Sequence, residues 1–157
     1  MKINLLYGHG DQLQGYITIH PFAVEETDSV RIDDVRNLDR VVEDAEATEI
    51  IAADVIDYLG LDEVNPALDH WIKKLRHGGT IIIGGCDSYD AAKALVQYEV
   101  DLETFNMLIH GTKDAPHLFK KTCLTLPGLV EYLEQHGLKV IKKRRNGLNY
   151  EIGRAHV

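Results

Sequence analysis

The chain has 157 residues and a formal net charge of −8, a length that fits one domain around one core and leaves no room for separate cofactor and substrate domains. Its 45% hydrophobic and 27% charged content excludes a disordered or collagen-like chain. The acidic excess repels phosphates and argues against nucleic-acid binding, and the apolar runs are too short to cross a membrane. The charge is uneven: −9 over residues 1–60, −4 over 61–118 and +5 over 119–157. Cys86 and Cys123 form neither a disulfide framework nor a CxxC pattern, so both read as reduced thiols of a cytoplasmic protein. Met1-Lys2 leads directly into Ile3-Asn4-Leu5-Leu6, so no leader peptide is expected.

Residues 2–7 (KINLLY) read as a buried strand ending at Gly8, and residues 16–19 (YITI) as a second ending at His20-Pro21. Residues 28–33 alternate and predict a weaker third strand, and 38–44 a helical turn. Residues 48–54 (TEIIAAD) are a strong fourth strand. Asp62 is the expected cap of a helix to about residue 76, with Leu68, Trp71, Ile72 and Leu75 on one face. His77-Gly78-Gly79 is expected to end that helix, because glycine takes the left-handed conformation. The run TIII at 80–83 is β-branched and predicts a central fifth strand.

Two helices follow over 88–98 and 102–110, then a loop over 111–124. Thr125-Leu126-Pro127 starts another helix, with proline in its first turn and Leu129, Val130 and Leu133 inward. Residues 138–145 and 148–154 flank Asn146-Gly147, the pairing that supplies a two-residue hairpin turn. Strands alternating with helices predict an α/β layered domain over 1–157, its sheet mostly parallel with a C-terminal antiparallel hairpin. Residues 8–15 are too few for a crossover helix, so the connection rule also allows the first two strands to pair antiparallel. In such a sheet ligands bind at the carboxyl ends of the strands, which carry Gly8-His9-Gly10, His20, Asp34, Asp54 and Cys86-Asp87.

Several segments, in this order, resemble the seven-strand (class I) S-adenosylmethionine-dependent methyltransferases, in particular a short bacterial-type subfamily. Gly8-His9-Gly10 with Gly15-Tyr16-Ile17-Thr18-Ile19 is similar to the family's glycine loop and second strand. Asp34-Val35-Arg36-Asn37-Leu38 resembles its segment after the third strand, and Ala52 through Tyr58 its segment after the fourth. Residues 71–79 (WIKKLRHGG), Cys86-Asp87, Phe119-Lys120-Lys121-Thr122 and 133–138 (LEQHGL) resemble later ones. The resemblance implies a Rossmann-like methyltransferase sheet, S-adenosylmethionine as cofactor and S-adenosylhomocysteine as product. It implies a cofactor site of Gly8, His9, Gly10, His20, Asp34, Val35 and Asp54.

Such a cofactor needs close backbone approach at its amino-acid end, which Gly8 and Gly10 permit. Asp34 with Val35 and Leu38 suits an adenine. His20 stands where the family carries its ribose-binding acid, and a neutral imidazole forgoes charge-assisted bonds that are about twice as strong. Asp57 and Tyr58 replace the family's Glu-His, and Lys120 replaces a histidine. Asp87, Asp54 and His110 are the candidates for accepting a proton from an O or N acceptor. Two readings follow: methyl transfer to an unidentified small or polymer-linked acceptor, or an inactive binding or assembly module with an eroded cofactor site.

A dinucleotide fingerprint is a poorer fit, because Leu13 stands where a third glycine belongs. No compact metal motif is present, although His9, His20, Asp54 and Asp87 are considered as ligands. Cys86 reads as a buried thiol rather than a nucleophile. Segment 88–124 is the candidate pocket cover. The run Lys142-Lys143-Arg144-Arg145 reads as a charge-protected sheet edge, or as a contact for an acidic partner or another subunit.

Overall fold

The computed structural model describes residues 1–146 and 149–156. A seven-stranded sheet has the order β3-β2-β1-β4-β5-β7-β6. Its strands are β1 (Lys2–Leu5), β2 (Ile17–Ile19), β3 (Val30–Arg31), β4 (Ala47–Ala52), β5 (Leu75–Cys86), β6 (Lys139–Asn146) and β7 (Asn149–His156). The first five are parallel, and β7 runs antiparallel to both β5 and β6. The helices are α1 (Leu61–Lys74), α2 (Ser88–Val96), α3 (Leu102–His110) and α4 (Leu126–Gln135), with a short 3-10 turn at Ile56–Tyr58. This is the mostly parallel sheet with an antiparallel hairpin that the alternating elements predict. The expected Asn146-Gly147 turn involves Gly147 and Leu148, which lie outside the described residues.

The core joins Ile3, Leu5, Ile50, Ile81 and Ile83 of the sheet to Leu68 and Trp71 of α1 and Leu129 and Leu133 of α4. Trp71 is fully buried, and its indole N–H donates to the Val35 carbonyl at 2.8 Å. That bond satisfies the one polar group of a large buried ring and ties α1 to the chain after β3.

β1 and β2, whose relative direction the sequence leaves open, pair in parallel without a crossover helix. The strands are only four and three residues long, so the return path is about 13 Å, well within the reach of residues 6–16. Asn4 Nδ2 donates to the Asp11 carbonyl at 3.2 Å and pins that link to the sheet.

Gly60, not Asp62, caps α1, because the Glu63 carboxylate reaches back to the Gly60 amide at 3.0 Å. The helix ends at Lys74, and Leu75 is already extended. Arg76 through Gly79 form an irregularity inside β5, where the register on β4 jumps between Ala47↔Leu75 and Glu49↔Thr80. Gly78 there has φ +78°, and a Cβ on Gly79 would meet carbonyl oxygens of Arg76 and Ala47 at 2.9 and 3.0 Å. The glycines thus serve a bulge rather than a helix terminus. The third strand shrinks to two residues, and 38–44 holds a single turn closed by the Val41 and Val42 amides on the Leu38 carbonyl.

β6 is the sheet edge. It carries Lys139, Lys142, Lys143, Arg144 and Arg145, all exposed apart from its pairing with β7, in keeping with a charge-protected edge.

Candidate functional site

The carboxyl ends of β1, β2, β4 and β5 and the chain after β3 open into three adjoining cavities of 420, 380 and 390 Å³. They lie at the switch point where strand order reverses between β1 and β4, the place where open α/β sheets bind ligands.

Gly8, His9, Gly10 and His20 line the first cavity. His20 Nδ1 accepts from the Phe22 amide at 3.1 Å, so Nε2 carries the proton and donates to the Gly8 carbonyl at 3.0 Å. Both ring nitrogens are therefore spent on backbone. Burial lowers the His20 pKa, opposed by the Gly8 bond and helped by His117 and His9. A Cβ on Gly8 would stand 2.6 Å from Leu118 Cδ2, and one on Gly10 the same distance from Leu6 Cδ2. The chain's own leucines thus cover the glycine loop.

Asp34 and Val35 line the second cavity, with Tyr7, Phe22, Tyr58 and Glu63. Arg36 donates to both Asp34 oxygens at 2.8–3.1 Å and pairs with Glu63. These bonds hold the Asp34 carboxyl below its ordinary pKa. Tyr7 stacks on Tyr58 with centroids 5.1 Å apart, and Phe22 stacks on His117 at 3.8 Å. Tyr58 also lines the third cavity and forms the wall between the two. Burial, then Asp54 and Asp57, push its pKa up to about 12.

The third cavity contains Asp54, Asp57, Gly84, Gly85, Lys120 and Tyr150 among its walls. Asp54 is exposed by surface area, yet protein crowds its carboxyl, and this desolvation raises its pKa against the pull of Lys120. Asp57 is buried, and its Oδ2 accepts from the Cys86 amide at 3.0 Å and faces Lys120 Nζ at 3.4 Å. Burial raises its pKa, opposed by the Cys86 amide and Lys120.

Asp87 and His110 line none of these cavities. Asp87 is buried and accepts from the Asp90 amide at 2.9 Å and the Leu126 amide at 2.8 Å. It caps α2 and clasps the start of α4. His110 ends α3, its ring 5.9 Å from Phe119. Cys86 is buried, and its carbonyl accepts from Cys123 Sγ at 3.4 Å. Among the described residues, no His, Cys, Asp and Glu cluster fits a metal ion.

Residues 111–124 run across this end of the sheet: the Lys121 and Thr122 amides donate to the Asp57 carbonyl at 2.8 and 3.1 Å. Thr122 Oγ1 donates to the Leu59 carbonyl at 2.6 Å. Sequence reasoning missed Tyr150, Gly85 and Leu118. Only the Gly84-Gly85 pair beside β-branched TIII marked the spot, as glycine within a strand signals close approach.

No protein-family model matches the chain, and no curated protein does. Among solved structures, it shares its fold with S-adenosylmethionine-dependent methyltransferases. One, from Archaeoglobus fulgidus, superposes with a TM-score of 0.62 at 12% identity, over 90% of this chain and 76% of the other. The 1,6-didemethyltoxoflavin N1-methyltransferase of Burkholderia thailandensis, bound to S-adenosylhomocysteine, gives 0.58 at 16%, over 98% and 70%. An O-methyltransferase family protein from the same organism gives 0.54 at 14%, over 81% of this chain and 34% of the other. The chain thus spans about a third of that last protein's length. No helix among the described residues is long and apolar enough to cross a membrane.

Proposed function

We propose that the chain serves S-adenosylmethionine-dependent methyl transfer to an O or N atom. The observation that carries this reading is the pair of cavities of 380 and 390 Å³, walled by Tyr58, at the switch point of a methyltransferase-type sheet. In this reading the cofactor's adenosyl end takes the second cavity, between Tyr7, Val35 and Tyr58, and the acceptor takes the third. When bound, the cofactor supplies a methyl group activated by a sulfonium. The chain's residues hold and shield it, with residues 111–124 as the cover.

The fit is partial. Aromatic walls and Asp34 suit an adenine, although Arg36 already engages Asp34. The amino-acid end does not fit as the residues stand: Leu118 lies on Gly8, and His20 has no free nitrogen for a ribose. These two observations favour a second reading, a methyltransferase-fold binding module that has lost its cofactor.

Calorimetry with S-adenosylmethionine and S-adenosylhomocysteine separates the two. A functional site gains about 2.7 kcal/mol of stability at a hundredfold excess over Kd, visible as a raised Tm. No heat and no shift at millimolar ligand refutes the methyl-transfer reading.

A further inference from the structure

We infer that Cys86 and Cys123 are a redox-active dithiol, which hydrogen peroxide converts to an intramolecular disulfide that locks residues 111–124 onto the end of β5. The inference goes beyond the methyl-transfer reading and does not rest on it.

These are the only two cysteines of the chain. They lie 37 positions apart in sequence, yet Cys123 Sγ donates to the Cys86 carbonyl at 3.4 Å. Just beyond them the Leu124 carbonyl accepts from the Ser88 amide at 2.8 Å, and the Leu126 amide donates to Asp87 Oδ2 at 2.8 Å. Backbones joined by such bonds lie about 5 Å apart, within the Cα separation of about 4.4–6.8 Å that a disulfide takes. Asp57 anchors both sides: its carboxylate accepts from the Cys86 amide at 3.0 Å, and its carbonyl accepts from the Thr122 amide at 3.1 Å. The strand end and the crossing segment are thus held together before any bond forms between the sulfurs.

The thiols also interact directly. A hydrogen bond with Cys123 lowers the Cys86 pKa against desolvation, and the same bond, with burial, raises that of Cys123. Such a pair gives up its first proton more readily than a lone thiol and holds the second. The shared charge makes a thiolate available at either sulfur. Cys86 is buried, whereas Cys123 is only partly so, which makes Cys123 the entry point for an oxidant little larger than water.

The Cys123 thiolate displaces hydroxide from the peroxide, breaking its O–O bond and forming a sulfenic acid. The Cys86 sulfur then attacks that sulfur, an S–S bond forms and the sulfenic oxygen leaves. Both thiol protons end in the two waters released, and the two electrons lost by sulfur reduce the peroxide. The resulting loop carries α2, α3 and most of the segment that crosses the third cavity's end of the sheet.

The test treats the reduced full chain with hydrogen peroxide, quenches with catalase, and reads free thiols, intact mass and Tm. The inference expects both thiols to disappear together, with a mass lower by two hydrogens, and dithiothreitol to restore them. Tryptic digestion without reductant should give one species joining residues 77–93 to 122–139. The oxidised protein should melt higher, because the cross-link restricts the unfolded chain. In Cys123→Ser the Cys86 thiol should react at least about tenfold more slowly than the wild-type pair, since it has lost its partner and is buried. If that variant fails to fold, the wild-type peptide map and Tm decide alone.

Thiols that react only in urea, a disulfide between two copies, oxidation that stops at sulfenic or sulfinic acid, a linked protein that melts lower, or an equal rate in Cys123→Ser each overturns the inference. The result for S-adenosylmethionine binding bears only on the methyl-transfer reading, so the two fail separately.

Discussion

Replacing Asp87 with alanine removes the acceptor of two backbone amides at once. One is the Asp90 amide at the start of α2, at 2.9 Å, and the other is the Leu126 amide at the start of α4, at 2.8 Å. Loss of a helix cap costs about 1 kcal/mol. Loss of a carboxylate from a buried amide costs roughly 1.5–3 kcal/mol. Arg145, 3.3 Å from Asp87 Oδ2, is 42% exposed, so its share is small. The expected total is about 3 kcal/mol, and about half that for Asp87→Asn, which keeps one acceptor oxygen. Urea denaturation reads the difference: with a slope near 2 kcal/mol/M, the alanine midpoint should fall by about 1.5 M. At low denaturant both variants should behave toward S-adenosylmethionine as the wild type does, because Asp87 lines none of the three cavities. An alanine variant within about 0.5 kcal/mol of wild type that loses ligand binding would refute the clasp and restore Asp87 as a site residue.

Leu118→Ala should cost about 2–4 kcal/mol, as a buried Leu-to-Ala truncation does. By uncovering Gly8 it should also tighten S-adenosylmethionine binding, and calorimetry showing no gain would count against Leu118 as the obstruction. Tyr150→Phe should leave stability unchanged or raise it by up to about 1 kcal/mol, because a buried hydroxyl without a hydrogen-bond partner among the described residues is removed; a melting scan showing a clear loss would reveal a partner for that hydroxyl. Burial lowers the pKa of both His20 and His70, and His70 Nε2 accepts from the Leu38 amide at 2.8 Å. As pH falls below about 6.5 the unfolded imidazole takes its proton first, so this stability is full above that value and is lost as pH drops through the folded pKa. Denaturation midpoints followed from about pH 8 down to 5 should therefore decline less in His70→Gln than in wild type, and parallel curves would contradict the assignment.

What was legible in the chain follows from how local each determinant is. The β-branched TIII, the Leu68–Trp71 face and the Pro127 helix start act within one turn or one strand, and each sits where periodicity assigns it. Gly78-Gly79 misled because the same residue type serves helix ends and bulges, and only pairing with β4 decides between them. Asp87 was read as a site acid because it follows a strand end, yet Asp87-Ser88-Tyr89-Asp90 is also a plain helix-start pattern. Tyr150 was invisible because its neighbours, Asp57 in the 3-10 turn after β4 and Gly85 in β5, are remote from it in sequence. His20 was read toward a ribose, but the backbone of its own loop claims both ring nitrogens, a competition that residue type alone does not show.

The short link over residues 6–16 bears on the order in which the sheet assembles. Loop-closure entropy grows with connection length, and the β4-to-β5 seam must wait for the long crossover through α1. The β1–β2 seam needs only a local return of the chain, stapled by Asn4 to the Asp11 carbonyl. A parallel pair of this kind carries an unusually small sequence separation, so it can form ahead of its neighbours and present β1 as a ready template for β4. The strands that frame the glycine loop would then be in register before the strands that frame the third cavity exist.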